Sequence, residues 1–172
     1  LQAEVLESDL RKKYMSLTFS LNDKASPKVI SLVGSVDESA TDVLNTLKSL
    51  PKGTYSFDLG GILNINSIGV RNWLNFIKDF QTEREVKFSN CTYEFIRQVN
   101  MIPPFKGKGE IESFFAQFYC ETCDNSFDLL FDTKTPVELL SSKLSSQRCP
   151  HCSTISECVE SPIEYLKFLE PK

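Results

Sequence analysis

Four of the six cysteines stand in two CxxC pairs, Cys120/Cys123 and Cys149/Cys152, with 25 residues between the pairs. Whatever the C-terminal third folds into must bring those two short turns face to face. Zinc prefers four tetrahedral ligands, and each CxxC turn presents two thiolates on one side of an ion, so two turns close a structural site with no open position. A redox-active CxxC would open a helix after a strand, and neither pair has that context. A secreted disulfide framework rarely shows this spacing. One structural Zn2+ on Cys120, Cys123, Cys149 and Cys152 is therefore expected, with folding coupled to binding. His151, between Cys149 and Cys152, could ligate only by displacing a neighbour and reads as a solvent-facing residue. Cys158 reads as a small apolar strand residue and Cys91 as a buried residue at a helix start.

Before the first knuckle, strand-like and helix-like patterns alternate. Tyr14 to Leu21 and Lys28 to Val33 are rich in β-branched and aromatic residues, and the turn-like NDKASP between them makes a strand pair. Val43, Leu44, Leu47 and Leu50 mark one face of a helix that Pro51 and Gly53 close. A strand follows from Tyr55 to Leu59 and continues through Ile62 and Ile65; then Val70, Trp73, Leu74 and Ile77 recur at helical spacing, with Arg71, Asn72, Asn75 and Lys78 facing away. Trp73 is expected in the core. Val86 to Phe88 is a short strand, and Asn90 suits the N-cap of a helix carrying Phe95, Ile96 and Val99, ended by Pro103-Pro104. This order predicts an α/β layer structure with crossover connections and a mixed sheet.

Gly107-Lys108-Gly109 reads as a hinge, and the boundary falls at about 108 to 118. The chain divides into a lead over 1–12, an α/β domain over 13–117 and a cysteine-bearing module over 118–172. In that module Ser126 to Asp132 and Thr154 to Val159 are strand-like, and Pro162 opens a short terminal helix. Fewer than about sixty residues cannot normally stabilise themselves by burial alone, which is the physical need for a metal staple.

Charge narrows the partners. Residues 1–117 carry 14 basic and 14 acidic groups, whereas residues 118–172 carry 5 basic and 9 acidic, so the whole formal charge of −4 lies on the C-terminal part. A module of that charge lacks the phosphate-neutralising surface that nucleic-acid affinity requires, so no nucleic acid is expected. No run approaches the length of a membrane span, and LQAEVLESDLRKKY lacks the basic-then-apolar order of a signal peptide; a cytoplasmic location is expected. With a single His, no arrangement of nucleophile, base and orienter can be assembled, so a non-enzymatic role is expected.

The stretch DLGGILNINSIGVRNWL, residues 58–74, passes from strand to helix without a spacer. Ser67 sits at the junction, where a Ser oxygen is a favoured N-cap. Gly69, just inside the helix, costs about 1 kcal/mol relative to Ala, so a backbone or a partner is expected to approach it closely. Together with Gly34-Ser-Val-Asp37 before the preceding helix, this run resembles the STAS domain of anti-sigma-factor antagonists. That family has a Gly-x-x-Asp turn, a strand of the form Asp-Leu-x-x-Val and an Asp-Ser-x-Gly helix start. The two CxxC pairs likewise resemble a zinc ribbon.

The resemblance covers about residues 13–117 and implies a four- or five-stranded mixed sheet with helices mainly on one face. It implies a protein-binding signalling module of bacterial type whose partner surface comprises Asp37, Asn64, Asn66, Ser67, Ile68, Gly69, Arg71 and Asn72. In the family the Ser matching Ser67 is phosphorylated by a serine kinase that is also the anti-sigma factor, and phosphorylation releases it. Here Asn66 stands where the family carries Asp, so one carboxylate of the motif is missing. The alternative that the wider fold implies is a sensor of nucleotides, anions or lipids.

Overall fold

The computed structural model describes residues 15–170. The lead over 1–12 and Tyr14 lie outside them. A five-stranded sheet is built in the order β1 (Thr18–Asn22), β2 (Lys28–Val36), β3 (Gly53–Ile65), β4 (Arg84–Ser89) and β5 (Glu110–Ile111). β1 runs antiparallel to β2, and the remaining pairs are parallel. Parallel neighbours need crossovers, supplied here by α1 (Thr41–Lys48), α2 (Ser67–Phe80) and α3 (Tyr93–Met101). This is the mixed sheet expected.

The helices cover one face of it. Tyr55, Phe57 and Leu59 alternate along β3 onto that face, where Phe57 meets Trp73, Phe76 and Phe80 of α2 edge-on. Gly69, Trp73, Phe76, Ile77 and Phe80 form the single buried stripe of α2. Phe88 of β4 packs on Trp73 and on Phe95 of α3. Trp73 is in the core as expected, and its indole N–H donates to the Phe105 carbonyl at 2.8 Å. On the opposite face the register aligns Ser31 with Asp58 and Ser56 with Lys87, which makes that side polar. The apolar residues of β3 change spacing after Leu59 because the register with β2 shifts twice, between Ser31 and Val33 and between Gly34 and Ser35. Each bulge inserts a residue and realigns Ile62 and Ile65 with the buried side.

Gly107 to Gly109 is a pinned turn rather than the free hinge expected. Gln81 donates to the Lys106 carbonyl at 3.1 Å and accepts from the Lys108 N–H at 2.8 Å, and the chain returns to the first sheet at β5 before leaving it. The second sheet begins at Ser113, with the order β7 (Asn125–Asp132), β6 (Ser113–Cys120), β9 (Ile155–Cys158) and β8 (Gln147–Arg148). Between β7 and β8 lies α4 (Val137–Ser145), which buries Leu140 and Leu144 one turn apart. The chain ends in α5 (Pro162–Tyr165) and a 3-10 turn, Leu166–Leu169. Phe114 packs against both Tyr165 and Phe168, Tyr93 of α3 stacks on Tyr165, and the buried core is continuous across both sheets.

Candidate functional site

Two sites emerge from the residues singled out by the sequence. At the carboxyl ends of β2 and β3, Asp37 accepts from the Ser39 N–H at 2.9 Å and its hydroxyl at 2.6 Å, which turns the chain into a 3-10 segment, Glu38–Ala40. The expected cap, Ser67, is not the cap. Asn66 holds that position in extended conformation, and its Oδ1 accepts from the Gly69 N–H at 2.8 Å. Ser67 is the first helical residue and is exposed. The reason lies in the chain entry: the Asn66 N–H is tied to the Val36 carbonyl at 3.2 Å, which sets Asn66 half a step outside the helix.

Asn66 also uses its amide nitrogen, donating to Glu38 Oε2 at 3.1 Å. A carboxylate in its place would cap equally well but would face Glu38 with like charge, so the departure from Asp in the family motif has a local partner. Gly69 is explained by backbone contact, as expected: a Cβ there would lie 1.7 Å from the Val36 carbonyl oxygen. Asn72 donates to the Asp37 carbonyl at 3.3 Å and to Thr41 Oγ1 at 3.2 Å, and so anchors the same loop to α2. Asp37, Asn66, Gly69 and Asn72 thus form one clamp. Asn64 is half-buried opposite Ser35, while Ile68 and Arg71 project into solvent beside Ser67. Glu38 and Thr41 belong to this clamp and were not legible as such; their polarity alone carries no positional signal.

The four cysteines converge. Their sulfur atoms all lie within 4.8 Å of one another, and the short separations run between knuckles, Cys120 to Cys152 at 3.5 Å and Cys123 to Cys149 at 3.6 Å. A tetrahedral zinc with Zn–S of about 2.3 Å places its sulfurs about 3.8 Å apart, so the four residues fit such an ion. The His151 N–H points at Cys149 Sγ from 3.4 Å, and the exposed His151 is outside the cluster of four.

Hydroxyls complete the surroundings: Thr154 Oγ1 lies 2.9 Å from Cys152 Sγ and 3.3 Å from Cys120 Sγ. The Thr154 hydroxyl pulls the Cys120 thiol down to about 5 and also lowers Cys152. Against a bond from Asn125, burial and the neighbouring thiols, Cys149 foremost, push Cys123 up to about 12. Four crowded thiols cannot all ionise together, and a divalent cation removes that conflict. Thr154 follows the second knuckle by two residues, which brings its hydroxyl back to the sulfurs.

Cys91 is buried, but it bridges to Phe114 ahead of α3 instead of starting the helix. Cys158 is half-buried in β9.

No protein-family profile and no curated protein matches this chain. Among solved structures, it is similar to an anti-sigma factor antagonist from Mycobacterium paratuberculosis, with a TM-score of 0.45 and 13% identity over 56% of this chain and 85% of that one. Among the described residues no helix is long and apolar enough to cross a membrane.

Proposed function

We propose that this protein is a non-enzymatic, protein-binding signalling module of the anti-sigma-factor-antagonist type, carrying an accessory structural zinc on Cys120, Cys123, Cys149 and Cys152. The observation that carries the reading is the division of labour at the α2 N-terminus. Asn66 performs the capping, which leaves the Ser67 hydroxyl exposed on a rigidly clamped turn beside the exposed Ile68. A residue relieved of a structural task, at a position the family resemblance assigns to regulated contact, is placed to be read by a partner. The partner is an anti-sigma-type serine kinase. Phosphorylation would add about −1.5 to −2 charges at a helix start, which the helix tolerates and an apposed acidic surface does not.

The test is binding of an anti-sigma-type serine kinase to wild type, Ser67→Ala and Ser67→Glu. The alanine variant should bind like wild type and the glutamate variant should not; equal binding by both rules out the switch. For the metal, elemental analysis should return about one zinc per chain, and less than half that amount in Cys120→Ser would be expected from a four-thiolate site.

A further inference from the structure

An antiparallel sheet with one face in the core normally presents polar side chains on the other. The outer face of the second sheet instead interleaves large apolar side chains with polar and acidic ones. Phe114, Phe118, Phe127 and Phe131 point inward, while the outer face exposes Tyr119, Leu130, Ile155 and Val159 at 41, 52, 61 and 50%. The register puts them on one surface with acidic neighbours: Phe115 opposite Leu130, Gln117 opposite Asp128, Tyr119 opposite Glu157. A groove of about 610 Å³ runs along it, lined by Tyr119, Ile155, Glu157 and Val159 with Glu121 at its end, and no Lys or Arg lines it. Asp128 is exposed on this face next to Leu130. Arg148, across from Ile155 on the edge strand β8, directs its guanidinium to the Ser153 carbonyl at 3.1 Å.

We infer that this outer face of β6, β7 and β9 is a second docking surface, and that its occupant is an amphipathic helix of a partner protein, with an apolar stripe flanked by Lys or Arg. A sheet face offers side chains rather than free backbone groups, which suits a helix and not an added strand. A second copy of this chain would set Asp128 and Glu157 against the same carboxylates across a two-fold axis, and an anionic lipid surface would be repelled in the same way. The inference extends the protein-binding reading above and rests on it only in taking the chain as a binding module.

The probe is a short synthetic helical peptide with leucines on one face and flanking lysines, alongside a twin with glutamates for the lysines. Titrated into the zinc-loaded full chain under NMR observation, the lysine peptide should shift the amides of Tyr119, Leu130 and Glu157, more weakly at high salt. Asp128→Asn with Glu157→Gln should weaken it at least about tenfold, as should Ile155→Ser, each in a chain of wild-type spectral dispersion. The glutamate twin should not bind. Absence of binding, equal binding of the twins, shifts confined to the Ser67 end, or a dimer in sedimentation that Ile155→Ser dissolves would each overturn the inference. Ser67→Glu should leave peptide binding unchanged, so this result and the kinase result fail independently.

Discussion

Three residues decide the local chemistry. Asn66 carries a cap and a bond to Glu38, whereas Ser67 carries neither. Asn66→Ala should therefore lower the unfolding free energy by about 1 kcal/mol in urea titration, with Ser67→Ala near zero; the reverse order would return the cap to Ser67. At Gly69 a Cβ has no room because the obstacle is the Val36 carbonyl, a backbone atom that cannot swing aside. Gly69→Ala should cost about 3 kcal/mol, well beyond what helix propensity alone would change, and in the opposite direction. Thr154 touches a sulfur from each knuckle. Thr154→Val should weaken zinc affinity about 10- to 100-fold in a chelator competition while Thr154→Ser retains it, because the hydroxyl and not the methyl stabilises the thiolates.

At the scale of elements, ends and bulges proved harder to read than bodies. Periodicity located α2 and its buried stripe, but α3 starts after Thr92, not at Asn90, because Asn90 takes a left-handed conformation (φ 51°) in which its side-chain amide donates to Asp58 at 3.0 Å and its backbone N–H to Ser113 Oγ at 2.8 Å. Asn adopts that region readily, so its side chain serves tertiary contacts rather than the helix. α4 carries no periodic signal: Leu140 and Leu144 are its only buried pair, too few to set a period. Arg84, unremarkable in sequence, closes the ends of two helices. Its guanidinium donates to the carbonyls of Lys48 at 3.0 Å and Phe80 at 3.4 Å, bonds Leu50, and lies over the Phe80 ring. Arg84→Met, which keeps the stem, should destabilise by about 1–3 kcal/mol in thermal or urea unfolding, since several helix-terminal carbonyls lose a charged donor.

Across the whole molecule, the four-cysteine module and the five-stranded sheet share one core, with β6 running from Phe114 in that core to Cys120. Chelation should therefore do more than loosen the knuckles: hydrogen exchange should rise first over 113–158 and then in α3, whose Tyr93 stacks on Tyr165. Protection of α3 unchanged by chelation would show that the core holds without the metal. Tyr93 adds a pH test. Burial, then its bond to Glu160 at 3.0 Å, raises its phenol to about 12. A proton held more tightly in the folded state contributes stability fully below the ordinary value near 10, and that contribution is lost as pH rises from about 10 to 12. Tyr93→Phe should flatten the alkaline stability curve in that window.

What the sequence determined by itself was whatever depends on period, spacing or residue chemistry: the strand and helix order, the buried aromatic faces, the convergence of four thiols and the acidity of the C-terminal part. These follow from short-range geometry, which a single chain carries in its letters. Which of Asn66 and Ser67 caps α2, what excludes a side chain at Gly69, the pinning of Gly107 to Gly109 and the joining of two sheets by Tyr93, Phe114 and Tyr165 were decided only by tertiary structure. Each depends on an atom from a distant segment, such as the Val36 carbonyl or the Gln81 amide, arriving within contact distance, and no local pattern encodes that arrival.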